Sequence, residues 1–197
     1  VGLDLRESSP AIAGAVIGAI GAAGCRAVDC GRLATPALAL AAQNRGAPAI
    51  MVTGSHIPAD RNGLKFYLAT GEITKADEAG ILDSLPDVAT SGASGAEAAL
   101  LPEARLAYLE RYRRVFSADL LAGKRIGVFQ HSSVARDDLA DLLRSLGATV
   151  VPLGRSARFV PIDTEARSAA DAARAKSGVA AERLESLVST DGDAYRA

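Results

Sequence analysis

Three side chains that could move a proton or a phosphoryl group lie close together in MVTGSHIPADRNGLKFY, residues 51–67. Ser55 directly follows a continuous apolar run, which is where open α/β sheets place their ligand crevices. A serine there could be a nucleophile, a phosphate carrier or only a turn former. His56 could exchange a proton, and Lys65 could do the same or clamp a phosphate. Taken singly, a capping serine, a surface histidine and a solvated lysine are more common, but their grouping favours a site.

A second polar loop, STDGDAYR, contains two carboxylates and follows another predicted strand. Asp191 and Asp193 flank a glycine, so both side chains could turn their oxygens toward one hard cation such as Mg²⁺. That ion binds few carboxylates and completes its shell with phosphate or water. An ordinary Asp-Gly turn is the alternative interpretation. A serine loop and a carboxylate loop on neighbouring α/β units together favour a phosphate and metal site.

The first half of the chain alternates helices and strands, which predicts parallel strands joined by helical crossovers. A Ser-Pro pair predicts the start of the first helix, with Ser9 as its N-cap. The run APAIMVTG, residues 47–54, predicts the buried strand that delivers Ser55. An Asn-Gly turn then leads into a strand over 64–70, and a capping box predicts a helix over 75–85.

A second α/β unit follows a stretch that is rich in small and acidic residues. This stretch, residues 86–100, predicts a linker, and residues 102–116 predict an amphipathic helix. The strands and helices expected after it lie at 125–130, 135–147, 148–154, 163–184 and 185–190. The sequence therefore predicts two consecutive α/β domains, 1–100 and 101–197, each a mixed, mostly parallel sheet with flanking helices.

Charge and hydropathy exclude several classes of function. The 22 Lys and Arg residues nearly cancel 23 Asp and Glu residues, so no basic field for nucleic acid is expected. The longest apolar stretch, residues 11–24, contains four glycines and is too short to span a membrane, and the N-terminal segment does not resemble a signal peptide. Cys25 and Cys30 are expected to be buried, unbridged thiols in a reducing cytoplasm. Nothing in the sequence indicates the oligomeric state.

Three segments resemble the α-D-phosphohexomutase superfamily, which includes phosphomannomutases and phosphoglucomutases. TGSHIPADRNGLKFY resembles that family's phosphoserine loop, here residues 53–65, and DGDAYR, residues 191–196, is similar to its metal loop, usually Asp-Gly-Asp-x-Asp-Arg. GLDLRESSP is similar to a segment near the start of the family's first domain. FVPIDTEA followed by VSTDGD favours the bacterial phosphomannomutase branch. The resemblance runs in the right order along nearly the whole chain.

The resemblance implies an enzyme that interconverts hexose 6-phosphate and hexose 1-phosphate, with mannose as the favoured sugar. Ser55 would give its phosphoryl group to the hexose phosphate and then take the other phosphate of the resulting hexose 1,6-bisphosphate. Mg²⁺, held by Asp191, Asp193 and an oxygen of the phosphorylated Ser55, would neutralise the charge on the transferring group. The further positions that the resemblance places at the site are His56 and Lys65 for proton transfer, Arg6 as another catalytic residue near the cleft, and Arg196 beside the metal loop.

The sequence departs from the family pattern in two ways. Tyr195 stands where the family has a third metal-binding aspartate, and a phenol is protonated near neutral pH and binds Mg²⁺ poorly. Family members also have four domains, so the chain is expected to be a fragment with little activity alone. The alternative function is a non-catalytic phosphosugar-binding or regulatory remnant of the same fold. A nucleotide-binding Rossmann domain is disfavoured because no G-x-G-x-x-G follows a strand.

Overall fold

The computed structural model describes residues 1–85, 97–162 and 169–196, and helices alternate with strands through these ranges. The elements of the first half are β1 (Gly2–Leu3), α1 (Ser9–Ala22), β2 (Val28–Asp29), α2 (Thr35–Arg45), β3 (Ala49–Val52), β4 (Leu64–Leu68), β5 (Gly71–Glu72), α3 (Lys75–Asp83) and β6 (Ala99–Leu100). Those of the second half are α4 (Glu103–Val115), β7 (Arg125–Phe129), α5 (Arg136–Ser145), β8 (Thr149–Leu153), α6 (Ala169–Ala181) and β9 (Ser186–Val188).

A four-stranded mixed sheet in the order β1-β3-β4-β5 carries the serine loop. β1 runs parallel to β3, whereas β4 returns antiparallel to β3 and pairs Lys65 with Met51. The amide of Thr53 donates to the carbonyl of Gly63 (3.0 Å), which closes the base of the loop between the two strands. The return of β4 therefore brings Lys65 back beside the strand that delivers Ser55.

Strand β3 is buried on both faces, which explains its continuous apolar sequence. Met51 packs toward α2 with Leu33 and Leu38, and all three side chains are at most 1 % exposed. The next residue, Val52, points to the opposite face and packs with α1. The strand that ends at the serine loop is thus fixed between two helices, and the loop starts from a rigid base.

In the second half, β8-β7-β9 form a sheet in which every pair is parallel. Its central strand, β7, has no room for a side chain at Gly127, since an added Cβ would lie 2.5 Å from a methyl carbon of Leu184. Parallel strands place their carboxyl ends at one edge of the sheet. The loop after β7 and the metal loop after β9 therefore emerge side by side.

The predicted α/β class, with a mixed and a parallel sheet flanked by helices, is confirmed. The capping box of α3 is also confirmed, because the Thr74 and Asp77 side chains each bond the other's backbone amide. The N-cap of α1 differs: it is Ser8, because Ser9 already has helical geometry and its hydroxyl donates to Asp4 (2.5 Å) instead. None of the helices in the described ranges is long and apolar enough to cross a bilayer.

The predicted linker and cysteines need correction. Residues 99–100 form β6, which pairs in parallel with β2, and Leu101 then joins the core around Leu33. Residues 86–96 of the linker and 163–168 of the expected helix lie outside the described residues, and the division at residue 100 stays a prediction. Cys25 is exposed and Cys30 is half-buried, because β2 is too short to include either residue.

Candidate active site

Ser55 is held in a strained turn directly after β3. Its φ of 51° lies in the left-handed region, which residues other than glycine rarely adopt. Two hydrogen bonds hold this turn in place: the Ser55 amide donates to the Thr53 hydroxyl (2.8 Å), and the Thr53 hydroxyl donates to Asp4 (2.8 Å). The Ser55 side chain points toward the metal loop, where its hydroxyl donates to a carboxylate oxygen of Asp191 (2.7 Å).

Arg6 lies behind the serine loop and holds its backbone. All five of its N–H groups are used: Nε–H donates to Asp4, and the other four donate to carbonyl oxygens of the loop. Those carbonyls belong to Pro58 (2.7 Å), Arg61 (3.0 Å), Ser55 (3.1 Å) and Ile57 (2.8 Å). In this arrangement every N–H of Arg6 is used within the chain and the residue is 1 % exposed, so Arg6 positions the serine loop, while its catalytic role stays a prediction.

The metal loop presents two fully buried carboxylates. Asp191 accepts hydrogen bonds at Oδ1 from the amides of Tyr195 (2.9 Å) and Arg196 (3.1 Å), and at Oδ2 from Ser55. Asp193 Oδ2 accepts from the Thr35 hydroxyl (2.5 Å) and forms an ion pair with Lys65 (2.9 Å). Asp193 Oδ1 is buried and has no hydrogen-bond partner among the described groups, so one acceptor is left for a further ligand.

The two loops approach each other too closely for a side chain at position 192. A Cβ added to Gly192 would lie 2.7 Å from the Phe159 ring and 3.1 Å from the carbonyl oxygen of Ser55. A side chain at this position would displace the Phe159 ring and crowd the Ser55 carbonyl, so glycine suits the place where the loops meet. The phosphoserine candidate and the two aspartates form one continuous site although they are far apart in the sequence.

Electrostatics distinguish the two aspartates. Burial raises the pKa of Asp191, and the nearby charge of Asp193 raises it further. Burial would also raise the pKa of Asp193, but hydrogen bonds from Thr35 and Lys65 outweigh that effect and lower it. Asp193 is therefore the more strongly ionised of the pair. Buried carboxylates need nearby positive charge to stay ionised. Lys65 supplies it to Asp193 but does not pair with Asp191.

The side chain of Tyr195 contacts Glu72 and Lys65. Its hydroxyl donates to Glu72 (3.3 Å), and its ring lies 4.7 Å from the Lys65 ammonium in a cation–π contact. The charge of Glu72 raises the pKa of Tyr195, so its phenol stays protonated. Because Tyr195 is not a carboxylate, Asp191 and Asp193 have no third acidic partner in this loop. Within the ranges that the structure describes, no three His, Cys, Asp or Glu side chains form a metal cluster.

The structure brings together four of the predicted site residues: Ser55, Lys65, Asp191 and Asp193. His56 is half-buried beside Ser55, and its Nδ1 atom has no hydrogen-bond partner among the described groups. The amide of Arg196 donates to the Asp191 carboxylate (3.1 Å), and the carbonyl of Arg196 accepts from the Asp191 amide (3.0 Å).

Sequence reasoning missed the residues that support this site. Thr35 was not singled out as a site residue, yet both its hydroxyl and its amide donate to Asp193 (2.5 and 2.9 Å). Asp4 was not singled out, although it accepts from Arg6, Ser9 and Thr53. In the segment DLR, two oppositely charged residues directly follow an apolar strand. Charged residues in such a place are buried only when they are paired, and this is the signal that could have identified Asp4.

The loop after β7 supports the metal loop from the second half. His131, which is 1 % exposed, contacts the carbonyl oxygen of Thr190 through Nε2 (2.7 Å), and the Ser133 hydroxyl contacts the Thr190 hydroxyl (2.7 Å). The amide of Val134 donates to the carbonyl of Gly192 (2.9 Å). Burial lowers the pKa of His131, so this support is made by a neutral imidazole at neutral pH.

The chain is similar in sequence to known proteins. Residues 1–90 match the family model described as phosphoglucomutase/phosphomannomutase, alpha/beta/alpha domain I. A phosphomannomutase of Sinorhizobium fredii is 47% identical over 201 residues, which cover 100% of this chain and 42% of that protein. A phosphomannomutase of Salmonella muenchen is 45% identical over 194 residues, covering 98% of this chain and 40% of that protein. The chain therefore spans less than half the length of these two curated relatives.

A solved structure has the same fold. The crystal structure of a phosphoglucomutase/phosphomannomutase family protein from Burkholderia thailandensis superposes with a TM-score of 0.75 and 25% sequence identity. The superposition covers 98% of this chain and 43% of that protein. The superposed region therefore includes residues from both halves of the chain.

Proposed function

Since this chain belongs to the phosphoglucomutase/phosphomannomutase family, we propose that it provides the phosphoryl-transfer site of a phosphohexomutase. The reaction is the interconversion of hexose 6-phosphate and hexose 1-phosphate through a hexose 1,6-bisphosphate, with mannose as the favoured sugar. The observation that carries the proposal is the contact of 2.7 Å between the Ser55 hydroxyl and Asp191. It joins a serine at the end of a strand to a pair of buried carboxylates, as a phosphoryl carrier requires.

In the proposed mechanism, a hydroxyl of the hexose phosphate attacks the phosphorus of phosphorylated Ser55. The bond between phosphorus and the Ser55 oxygen breaks, and that oxygen takes a proton. His56 and Lys65 are the candidates for proton transfer to and from the sugar, since His56 adjoins Ser55 and Lys65 reaches into the site. The bisphosphate then returns its other phosphate to Ser55, which restores the carrier. Arg6 keeps the loop backbone fixed throughout.

The residues present fit a divalent metal ion. Asp193 Oδ1 is a buried acceptor without a partner among the described groups, and Asp191 adds a second carboxylate next to it. Asp191, Asp193 and an oxygen of phosphorylated Ser55 would hold Mg²⁺, which would neutralise charge on the transferring phosphoryl group.

Intact-mass measurement of the chain tests the proposal. Incubation with glucose 1,6-bisphosphate and Mg²⁺ is expected to add the mass of one phosphoryl group, and peptide mapping is expected to place it on Ser55. A folded chain that gains no phosphoryl group would instead support the non-catalytic remnant. Tyr195 is the observation that favours this second candidate, because it removes one of the family's three metal-loop carboxylates.

Changing Tyr195 to aspartate is expected to strengthen Mg²⁺ binding. A third carboxylate beside Asp191 and Asp193 adds a hard oxygen ligand, so we expect affinity to rise by about tenfold or more. Isothermal titration calorimetry with MgCl₂ measures the change. Tyr195→Asn is the matched control, since it also removes the ring from Lys65 but adds no charge. Equal Mg²⁺ affinities in the Asp and Asn variants would contradict the proposed metal site.

A further inference from the structure

A small cavity lies between the two halves of the chain, apart from the serine and metal loops. Its volume is about 140 Å³, about ten times the ~10–15 Å³ that one water molecule needs. The residues that line it are Leu5, Arg32, Ser132, Arg136, Ser156 and Ala157. The first two come from the first half and the other four from the second half. A ligand in this cavity would therefore touch both halves at once.

The cavity carries positive charge that no carboxylate in its lining neutralises. Arg32 is exposed, and its guanidinium has no hydrogen bond or ion pair with any described group. Arg136 uses Nη1 for the carbonyl oxygens of His131 (3.2 Å) and Ser156 (2.8 Å), but its Nε and Nη2 have no partner within the described ranges. Two arginines thus offer several free N–H donors to one small space.

The acidic side chains near the cavity are already used. Asp137 binds Arg155 through both of its oxygens (2.6 and 3.1 Å), and Asp138 accepts from Arg105. These two carboxylates belong to the first turn of α5, and neither lines the cavity. Burial lowers the pKa of Arg136 and the charge of Arg155 lowers it further; the charge of Asp137 partly offsets this, and the charge of Arg32 adds to the repulsion between the cations. An anion would relieve that repulsion.

We propose that this cavity binds a phosphate group, as inorganic phosphate or as a phosphate monoester. The guanidinium fork matches tetrahedral oxyanions and can bind them through two hydrogen bonds. The cavity also lies at the amino end of α5, a helix of ten residues, where the helix dipole favours negative charge. Ser132 and Ser156 build the walls, because their hydroxyls bond the backbone of Val160 and Arg158. The arginines supply the recognition.

The position of the cavity links a bound phosphate to the metal loop. Arg32 lies three residues before Thr35 in the sequence, and the Thr35 hydroxyl donates to Asp193 (2.5 Å). On the other side, Ser132 adjoins Ser133, whose hydroxyl contacts Thr190 (2.7 Å) immediately before Asp191. Occupancy would therefore hold together the two chain segments that support the aspartates. It would also stabilise the folded chain by mass action.

Calorimetric titration of the 197-residue chain with inorganic phosphate tests the inference. Arg32→Gln is expected to weaken phosphate binding by about tenfold or more, since it removes a charged donor. The variant is expected to fold, because the Arg32 side chain has no bonded partner among the described residues. Arg111→Gln is the matched control, because Arg111 is an exposed arginine on α4 that does not line the cavity. Its phosphate affinity is expected to match that of the unchanged chain.

A second arm separates the cavity from the serine loop and separates the two phosphate sources. Ser55→Ala is expected to leave the Arg32-dependent phosphate binding intact, which assigns that binding to the cavity. In the Ser55→Ala background, tighter binding of mannose 6-phosphate than of inorganic phosphate identifies a monoester site, and the reverse order identifies a site for free phosphate. Unchanged affinity in Arg32→Gln, or no binding at millimolar phosphate, would overturn the inference.

Discussion

Replacing Ser55 by alanine is expected to abolish phosphoryl uptake from glucose 1,6-bisphosphate completely. The Ser55 hydroxyl contacts the carboxylate of Asp191 (2.7 Å), and alanine has no oxygen to accept a phosphoryl group. The neighbouring Thr53 hydroxyl cannot replace it, because Thr53 accepts the Ser55 amide and donates to Asp4. Intact-mass spectrometry after incubation with the bisphosphate and Mg²⁺ measures the loss.

Ser189→Ala is the matched control for that experiment. The Ser189 hydroxyl lies just before the metal loop and donates to the carbonyl of Phe129 (3.0 Å), without a contact to Ser55. This variant is expected to take up a phosphoryl group as the unchanged chain does. Loss of the Ser55 hydrogen bond should cost only about 1–2 kcal/mol of stability, so circular dichroism is expected to show a folded Ser55→Ala chain. A phosphoryl group found on another residue of that variant would disprove the carrier role of Ser55.

Replacing Arg6 by methionine is expected to destabilise the fold and to remove phosphoryl uptake with it. Methionine fills part of the space but leaves Asp4 buried without its cationic partner, and four loop carbonyls lose their donor. Removal of one partner from a buried ion pair costs about 3–5 kcal/mol. Lysine is not expected to substitute, because one ammonium group cannot reproduce the planar fork that spans the loop.

Urea denaturation measures the effect of the Arg6 change. Arg61→Met is the matched control, because Arg61 lies on the same loop with an exposed side chain and contributes only its carbonyl oxygen to the contact with Arg6. Its free energy of unfolding is expected to change by less than about 0.5 kcal/mol. An Arg6→Met chain with the midpoint and phosphoryl uptake of the unchanged chain would show that the serine loop does not depend on the guanidinium.

Local signals in the sequence predicted the elements whose cause is local. The apolar run before Ser55 predicted β3, which is buried on both faces, and the Thr74 capping box predicted α3. β6 was missed because the Ala-Leu pair at 99–100 resembles a linker by composition and becomes a strand only by pairing with β2. Pairing of that kind depends on the tertiary structure rather than on local propensity.

The candidate site shows the same limit. The residue types in the serine and metal loops predicted what chemistry the site could perform, but not which atoms meet. Lys65 and Thr35 both donate hydrogen bonds to the Asp193 carboxylate. Each of these contacts joins residues more than a hundred positions apart in the sequence. The contacts by which Arg6 holds the serine loop could not be predicted for a related reason. A sequence does not show that an arginine's donors are all used by its own chain.

The contact between Ser55 and Asp191 also has a consequence for the time at which the site forms during synthesis. The two residues are 136 positions apart, and Thr35 and Asp193 are 158 apart. A nascent chain that has released only the first sheet from the ribosome already has its serine turn but no carboxylates against it. Contacts of such high order form late and slowly in folding. The Ser55 hydroxyl therefore cannot bond Asp191 until the last strand of the second sheet, β9, and the loop after it have left the ribosome.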